Sequence, residues 1–161
     1  MRRHDRAITD REEIDAILLR ETVCRVAFAV DGEPYIVPLS YGYSPQRGSL
    51  YFHTAREGRK IDCIRANPRV CFEVEGPAVV KPATDQACSW GLRFESVIGY
   101  GTLVELTSDS NRAEALRVFM LHQSGQTDVD WSYAANILAN TRVWKLDIEE
   151  VAGKRSASSA D

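Results

Sequence analysis

Basic side chains cluster at the start of a short predicted helix, and their position points to anion binding. A strand-like segment ends near Thr54, and the apolar spacing that follows predicts a helix over residues 59–67. Arg56, Arg59 and Lys60 therefore lie at the positive end of the helix macrodipole, which disfavours each cation by roughly a few tenths of a kcal/mol. A bound phosphate would remove this conflict, because the free N–H groups of the helix start, the cations and the Thr54 hydroxyl could all contact it.

A second interpretation of these cations involves no ligand. Glu57 and Asp62 are close to them in the sequence and would neutralise part of their charge. The cations would then be ordinary solvated side chains on the surface.

Other residues with chemical potential form no recognised motif. His4, His53 and His122 lack metal-ligand spacing, and the four cysteines form no C-x-x-C pair, so we predict no metal site. The pair Gly99-x-Gly101 lacks the third glycine of a dinucleotide fingerprint, and neither a nucleophile elbow nor a P-loop is present. What remains is a phosphate-type site beside aromatic strands, which suits a flat aromatic cofactor with a phosphate tail.

The two glycines share one face of a predicted strand over residues 97–106. They indicate either the close approach of a ring or a neighbouring backbone, or a kink at a barrel corner.

The elements that must position these residues are mostly short strands. Thr9 with Glu12 matches a capping box at the start of the first helix, and Asp31-Gly32 is a hairpin signal. Pro38 interrupts the second strand and predicts that this strand is at an edge or bulged, with backbone groups left free nearby. Strands are predicted over residues 23–30, 34–43, 50–54, 69–75, 97–106 and 142–150, helices over 10–20, 59–67, 107–122 and 131–139, and a long loop or hairpin connection over 76–87.

Six strands without regular β-α alternation predict a mainly β fold, an antiparallel barrel with peripheral helices. We expect one domain over residues 1–152 and a disordered tail over 153–161. A net charge of −3 argues against a nucleic-acid-coating protein. The absence of an apolar run of 18 residues and of a signal peptide argues against a membrane span and predicts the cytoplasm.

At the level of motifs, the chain resembles the pyridoxamine 5′-phosphate oxidase-like, FMN-binding split-barrel family, and within it the nitroimidazole-resistance branch. The motifs that carry the resemblance span nearly all of residues 1–155. They are Met1-Arg-Arg-x-Asp-Arg6, Cys24-Arg-Val-Ala27, Pro34-Tyr-x-Val-Pro-Leu39, Tyr51-Phe-His-x-Ala55, Gly58-Arg-Lys60, Asn67-Pro-Arg-Val-Cys71, Cys88-Ser-Trp90 and Ser96-Val-Ile-Gly99, followed by Gly101.

The resemblance implies a homodimeric split barrel with FMN in two clefts at the subunit interface. It implies that the flavin ring lies along one strand, that the phosphate is bound at the start of the short helix, and that two residues approach from the partner subunit. By this resemblance, the strand under the ring contains Ile36, Val37, Pro38, Leu39 and Ser40, and the phosphate ligands are Arg59 and Lys60. His53 and Thr54 would lie at the end of the next strand, near the ribityl-phosphate, and Trp90 and Ser96 would come from the partner subunit. His53 is also the candidate catalytic residue, with cofactor contact or packing as the alternative.

One departure from the family pattern concerns the reaction. The pyridoxamine phosphate oxidases carry a C-terminal tryptophan and arginine signature, whereas this chain ends in Glu149-Glu-Val-Ala-Gly-Lys-Arg155. We therefore expect an FMN-dependent oxidoreductase acting on small molecules, in the manner of a nitroimidazole reductase, and not a vitamin B6 oxidase. The alternative is a flavin- or haem-binding storage or sensing protein without turnover. The sequence names neither the substrate nor the electron donor.

Overall fold

The computed structural model describes residues 4–84, 86–127 and 129–156, and these contain ten strands and four α-helices. The strands are β1 (Ala7–Ile8), β2 (Val23–Val30), β3 (Glu33–Ser40), β4 (Gly42–Ser44), β5 (Ser49–Ala55), β6 (Arg69–Glu75), β7 (Val79–Lys81), β8 (Gly91–Arg93), β9 (Glu95–Leu106) and β10 (Thr141–Arg155). The helices are α1 (Arg11–Arg20), α2 (Arg59–Ala66), α3 (Asp109–Ser124) and α4 (Ala135–Ala139).

Eight strands form one antiparallel sheet whose two ends are joined in the chain. The order is β3-β2-β6-β9-β10-β5-β4, with β1 also paired to β10. β3 and β4 stand at opposite ends of this order, yet only Tyr41 separates them in sequence. One residue spans about 3.8 Å, so the sheet must curl until its ends meet. The predicted antiparallel barrel is confirmed.

The barrel is split on one side. β3 pairs only with β2, and β4 covers β5 only from Ser49 to Tyr51. From Phe52 to Ala55, β5 is paired only with β10. Among the residues that the structure describes, no strand therefore lies between the edge of β3 and the second half of β5.

Side chains that alternate along β5 belong to two different hydrophobic clusters of the described residues. Leu50 and Phe52 point into the barrel and are buried with the main core. Tyr51 points outward and packs with Ala115 and Leu116 of α3. Because side chains alternate with a period of two, His53 also points outward and Thr54 inward. The outward position leaves the His53 side chain accessible to a ligand, whereas the inward position places the Thr54 side chain in the barrel core.

The hairpin and the strand with Pro38 follow the prediction. Asp31 and Gly32 both have positive φ, 52° and 84°, as a two-residue type I′ turn requires. β3 is an edge strand, which confirms one of the two options for Pro38. There is no bulge, because Pro38 pairs with Arg25 in continuous register.

Several predicted boundaries are wrong. Residues 153–155 belong to β10, where Gly153 pairs with both β1 and β9, and are not part of a tail. Residues 157–161 of the predicted tail lie outside the described residues. Asp10, not Thr9, caps α1, since its carboxylate accepts the Glu12 N–H at 2.9 Å. Of the two options for residues 76–87, the structure supports the hairpin connection: β7 pairs with β8 in a small separate antiparallel ribbon, although the second strand lies beyond residue 87.

The glycine pair in β9 allows close packing inside the barrel wall. A Cβ on Gly99 would lie 2.5 Å from the Phe72 ring, and one on Gly101 would lie 2.1 Å from the Asp147 carbonyl oxygen. β10 carries a register shift between Ile148 and Glu150, opposite this pair. The close approach is therefore made by a core ring and by the neighbouring backbone. In the part of the chain that the structure describes, no helix has both the length and the apolarity needed to cross a membrane.

Candidate functional site

The start of α2 connects the two edges of the split. Gly58 precedes the helix with a φ of 120°, and its carbonyl accepts the Ile61 N–H at 2.8 Å. The Arg59 guanidinium stacks on the ring of Tyr35 in β3, 4.5 Å from the ring centroid. Lys60 lies close enough to His53 in β5 for its charge to contribute to lowering the His53 pKa. The two predicted phosphate ligands thus lie between β3 and β5.

The helix start offers donors as well as charge. Among the described residues, the backbone N–H groups of Arg59 and Lys60 have no acceptor, as is usual for a first turn. No carboxylate within the described residues forms an ion pair with either side chain. Asp62, which could have neutralised them, instead lies 3.7 Å from Arg65. These groups suit a phosphate monoester.

β3 carries a short apolar row on its outward face, opposite the face of Tyr35. Tyr35, Val37 and Leu39 pack against the core, whereas Ile36 and Pro38 point outward. Ile36 is 61% exposed, the largest exposed fraction among the large hydrophobic side chains of the described residues. Ser40 ends the row, also on the exposed face. Because β3 is an edge strand, its outer backbone groups are also available to a ligand.

His53 lies on the outer face of β5, with one side of its ring packed and the other exposed. It contacts Phe119 of α3 edge-to-face, with ring centroids 4.6 Å apart. Desolvation and then the charge of Lys60 lower its pKa below the usual range. The imidazole is therefore neutral near pH 7, and it could accept a proton there. The contact with Phe119 could not be predicted from the sequence around His53, because Phe119 belongs to α3, which is distant along the chain.

Thr54 is placed differently from its prediction as an anion ligand. Its side chain points inward, and its hydroxyl accepts the Trp144 indole N–H at 3.0 Å while donating to the Ala55 carbonyl at 2.9 Å. A hydroxyl has one proton, and here that proton is committed. In this conformation the side chain has no donor left for a phosphate, so any contribution of Thr54 to anion binding would come through its backbone.

Trp90 and Ser96 are not brought to this cluster within one chain. Trp90 precedes β8 and is 53% exposed. Val143 of β10 pairs with His53 of β5 on one side and with Leu106 of β9 on the other, so His53 and Leu106 lie at the same height in the sheet. Ser96 lies ten residues from Leu106 along β9, a path of about 33 Å at about 3.3 Å per residue. A role for either residue in the same site stays a prediction that depends on a second copy.

Comparison with known proteins places the whole domain in one family. The model of the family described as pyridoxamine 5′-phosphate oxidase matches residues 10–155. An uncharacterised protein of Rhizobium meliloti strain 1021 is 33% identical over 67 residues, which cover 42% of each chain. The match therefore spans less than half the length of that relative.

Solved structures share the fold over nearly the full chain. A candidate 5-nitroimidazole antibiotic resistance protein from Bacteroides thetaiotaomicron is 29% identical, with a TM-score of 0.79 over 92% of this chain and 86% of that one. An FAD-binding protein from Mesorhizobium loti is 30% identical, with a TM-score of 0.67 over 94% of this chain and 97% of that one.

Proposed function

The chain belongs to the pyridoxamine 5′-phosphate oxidase family, and from that membership we propose that it binds FMN in the split between β3 and β5. The observation that carries the proposal is the position of Arg59 and Lys60, two cations without a carboxylate partner among the described residues, at a helix start between these strands. The similarity to an FAD-binding protein over nearly its whole length supports a flavin as the cofactor class.

The residues present fit the two ends of this cofactor. Arg59, Lys60 and the free N–H groups of the first turn of α2 would bind the phosphate. The exposed face of Ile36 and Pro38, with the free edge of β3, would hold the ring. Arg59 is already oriented by its stacking on Tyr35, which lowers the entropic cost of binding.

We propose that the FMN-bound protein is an oxidoreductase that reduces small molecules. The resemblance to the nitroimidazole-resistance branch makes a nitroimidazole the expected type of substrate. Bound flavin would supply the hydride or electron transfer. The chain itself would orient the ring and exclude water from it. His53, neutral near pH 7 and exposed on one side, would hold or move a proton at its imidazole.

A homodimer is part of the proposal, because β9 leaves an apolar row uncovered. Ile98, Tyr100 and Val104 alternate along its outer face and are 47%, 44% and 47% exposed. Thr102 lies between Tyr100 and Val104 on the same face, where its hydroxyl donates to Glu149. An exposed apolar patch of this kind on a sheet is typical of a protein interface. A second copy would cover it and would bring Trp90 and Ser96 of one subunit towards the site of the other.

Binding is tested by titrating FMN into apoprotein. We expect Arg59→Ala combined with Lys60→Ala to weaken binding by roughly 2–4 kcal/mol, because charge-assisted hydrogen bonds contribute about 1.5–3 kcal/mol each and do not add fully. Arg65→Ala, at the other end of α2, is the matched control and should leave the affinity unchanged. An unchanged Kd in the double variant, or no FMN binding by the parent, would refute the assignment.

Turnover separates the oxidoreductase from a storage or sensing protein. Bleaching of bound FMN by NADH or NADPH, followed by reoxidation with a nitroimidazole, is the expected result for the enzyme. Haem binding would instead give a Soret band that His53→Ala removes. His122 is a poor axial ligand, since its Nδ1 accepts the Tyr43 N–H at 3.1 Å and its Nε2 is buried.

A further inference from the structure

Three arginines surround a second pocket on the far side of the loop that leads into α2. The pocket has a volume of about 170 Å³ and lies where the ends of β9 and α4 and the starts of β10 and α3 approach the residue that follows β5. Arg56, Arg112 and Arg142 line it. At about 30 Å³ per water molecule, it holds roughly five waters, which is enough room for a phosphoryl group.

Backbone carbonyls hold the guanidinium groups at the wall of the pocket. Arg56 donates to the Ala139 carbonyl at 2.7 Å, and Arg112 donates to the Leu138 carbonyl at 2.6 Å. Arg142 donates through Nε to the backbone carbonyl of Arg56 at 2.9 Å. These contacts orient the three planar groups without neutralising them.

The charges around the pocket do not balance. Glu105 binds Arg142 through both carboxylate oxygens at 2.7 Å. Asp109 lies 3.7 Å from Arg112, but its side chain is fully exposed, so the pair is weak. Arg56 has no carboxylate partner in the described ranges, and its Nε and Nη2 groups have no acceptor there. Three guanidinium groups thus line the pocket, and only one of them has a close carboxylate partner.

We propose that this arginine pocket is an anion subsite that takes a second phosphoryl group. Arg56 comes three residues before Arg59, so the pocket adjoins the proposed FMN-phosphate site across one short loop. Two sources share this chemistry: the additional phosphate of a dinucleotide flavin, and the phosphate of a separate substrate. The first source rests on the proposed flavin site, whereas the subsite itself stands on the arginines alone.

The test uses apoprotein with three probes: FMN, FAD and inorganic phosphate, each titrated by calorimetry. Arg56→Ala removes an exposed guanidinium but keeps the backbone carbonyl that Arg142 binds. Arg112→Gln removes the charge but keeps an amide donor for the carbonyls of the α4 end. Arg65→Ala is the control, and thermal denaturation checks that each variant is folded.

We expect both pocket variants to weaken FAD binding about tenfold or more, the loss of one charge-assisted hydrogen bond, while FMN binding changes less than twofold. This result supports the dinucleotide source. Weaker inorganic phosphate binding with unchanged FAD and FMN binding supports the subsite with a phosphorylated substrate.

Failures of the two proposals are distinguishable. If the parent protein binds no flavin but its phosphate binding still depends on Arg56 and Arg112, the flavin proposal fails and the subsite stands. If neither variant changes the binding of any probe, the subsite is overturned. The arginines would then serve only to cap α4, and a lower Tm with unchanged affinities would be the sign of that role.

Discussion

The buried hydrogen bond between Trp144 and Thr54 predicts that the Thr54 hydroxyl stabilises the barrel and does not bind the ligand. Thr54 is 7% exposed and Trp144 is 4% exposed, and the indole N–H donates to the Thr54 hydroxyl at 3.0 Å. Thr54→Val replaces the hydroxyl with a methyl group of similar volume. The substitution therefore removes the acceptor without opening a cavity.

The expected loss follows from the indole N–H that stays buried without a partner. An unsatisfied buried donor costs about 1–3 kcal/mol. The carbonyl of Ala55 loses its bond as well, but that residue is exposed and water can replace the donor. For a chain of this size, each kcal/mol lowers Tm by roughly 2–4 °C.

The assay is urea denaturation of apoprotein for a double-mutant cycle with Trp144→Phe. Because phenylalanine has no N–H, Thr54→Val should cost clearly less in that background, with a coupling energy of roughly 0.5–3 kcal/mol. FMN affinity should change less than twofold in Thr54→Val. The reasoning would be refuted by equal costs in the two backgrounds. A tenfold loss of FMN affinity at unchanged stability would instead make the hydroxyl a phosphate ligand.

Three further predictions concern protonation, packing and assembly. Burial lowers the pKa values of both His122 and His53, so the unfolded chain takes up these protons first as the pH falls below about 6.5, and the free energy of unfolding should decrease between pH 7.5 and 5.5; His122→Asn should reduce that dependence in urea denaturation and leave the contribution of His53. Gly101→Ala should cost about 3 kcal/mol or more because of the Asp147 carbonyl, whereas Gly32→Ala meets open space and should cost only about 1–3 kcal/mol of backbone strain; similar Tm values would contradict this. Tyr100→Asp should shift the protein to a monomer in size-exclusion chromatography, and an unchanged elution volume would argue against β9 as the interface.

Local patterns were sufficient for the elements whose signals are local. The Asp31-Gly32 turn and the strand over residues 69–75 depend on a few neighbouring residues, and the structure confirms both. For the segment of β7 and β8, the sequence left a loop and a hairpin open and did not locate the strands, because each is only three residues long and is stabilised by its partner rather than by its own composition.

The features of the candidate site also fall into two groups: those that local sequence predicts and those that depend on distant residues. The position of Arg59 and Lys60 at a helix start follows from sequence, since the apolar spacing over residues 59–67 locates the helix. The stacking of Arg59 on Tyr35 does not, because 24 residues separate the two along the chain.

The sequence by itself determined the mainly β class and the excess of positive charge at the start of α2, and it limited β3 to an edge or a bulged strand, because each is set by residues close together in the chain. Only the tertiary structure decided the face on which each of these side chains lies and the partner that it meets. The inward turn of Thr54 towards Trp144 and the outward turn of His53 onto Phe119 depend on register between β5, β10 and α3. Register is a relation between distant segments, and a shift of one residue would exchange the two roles.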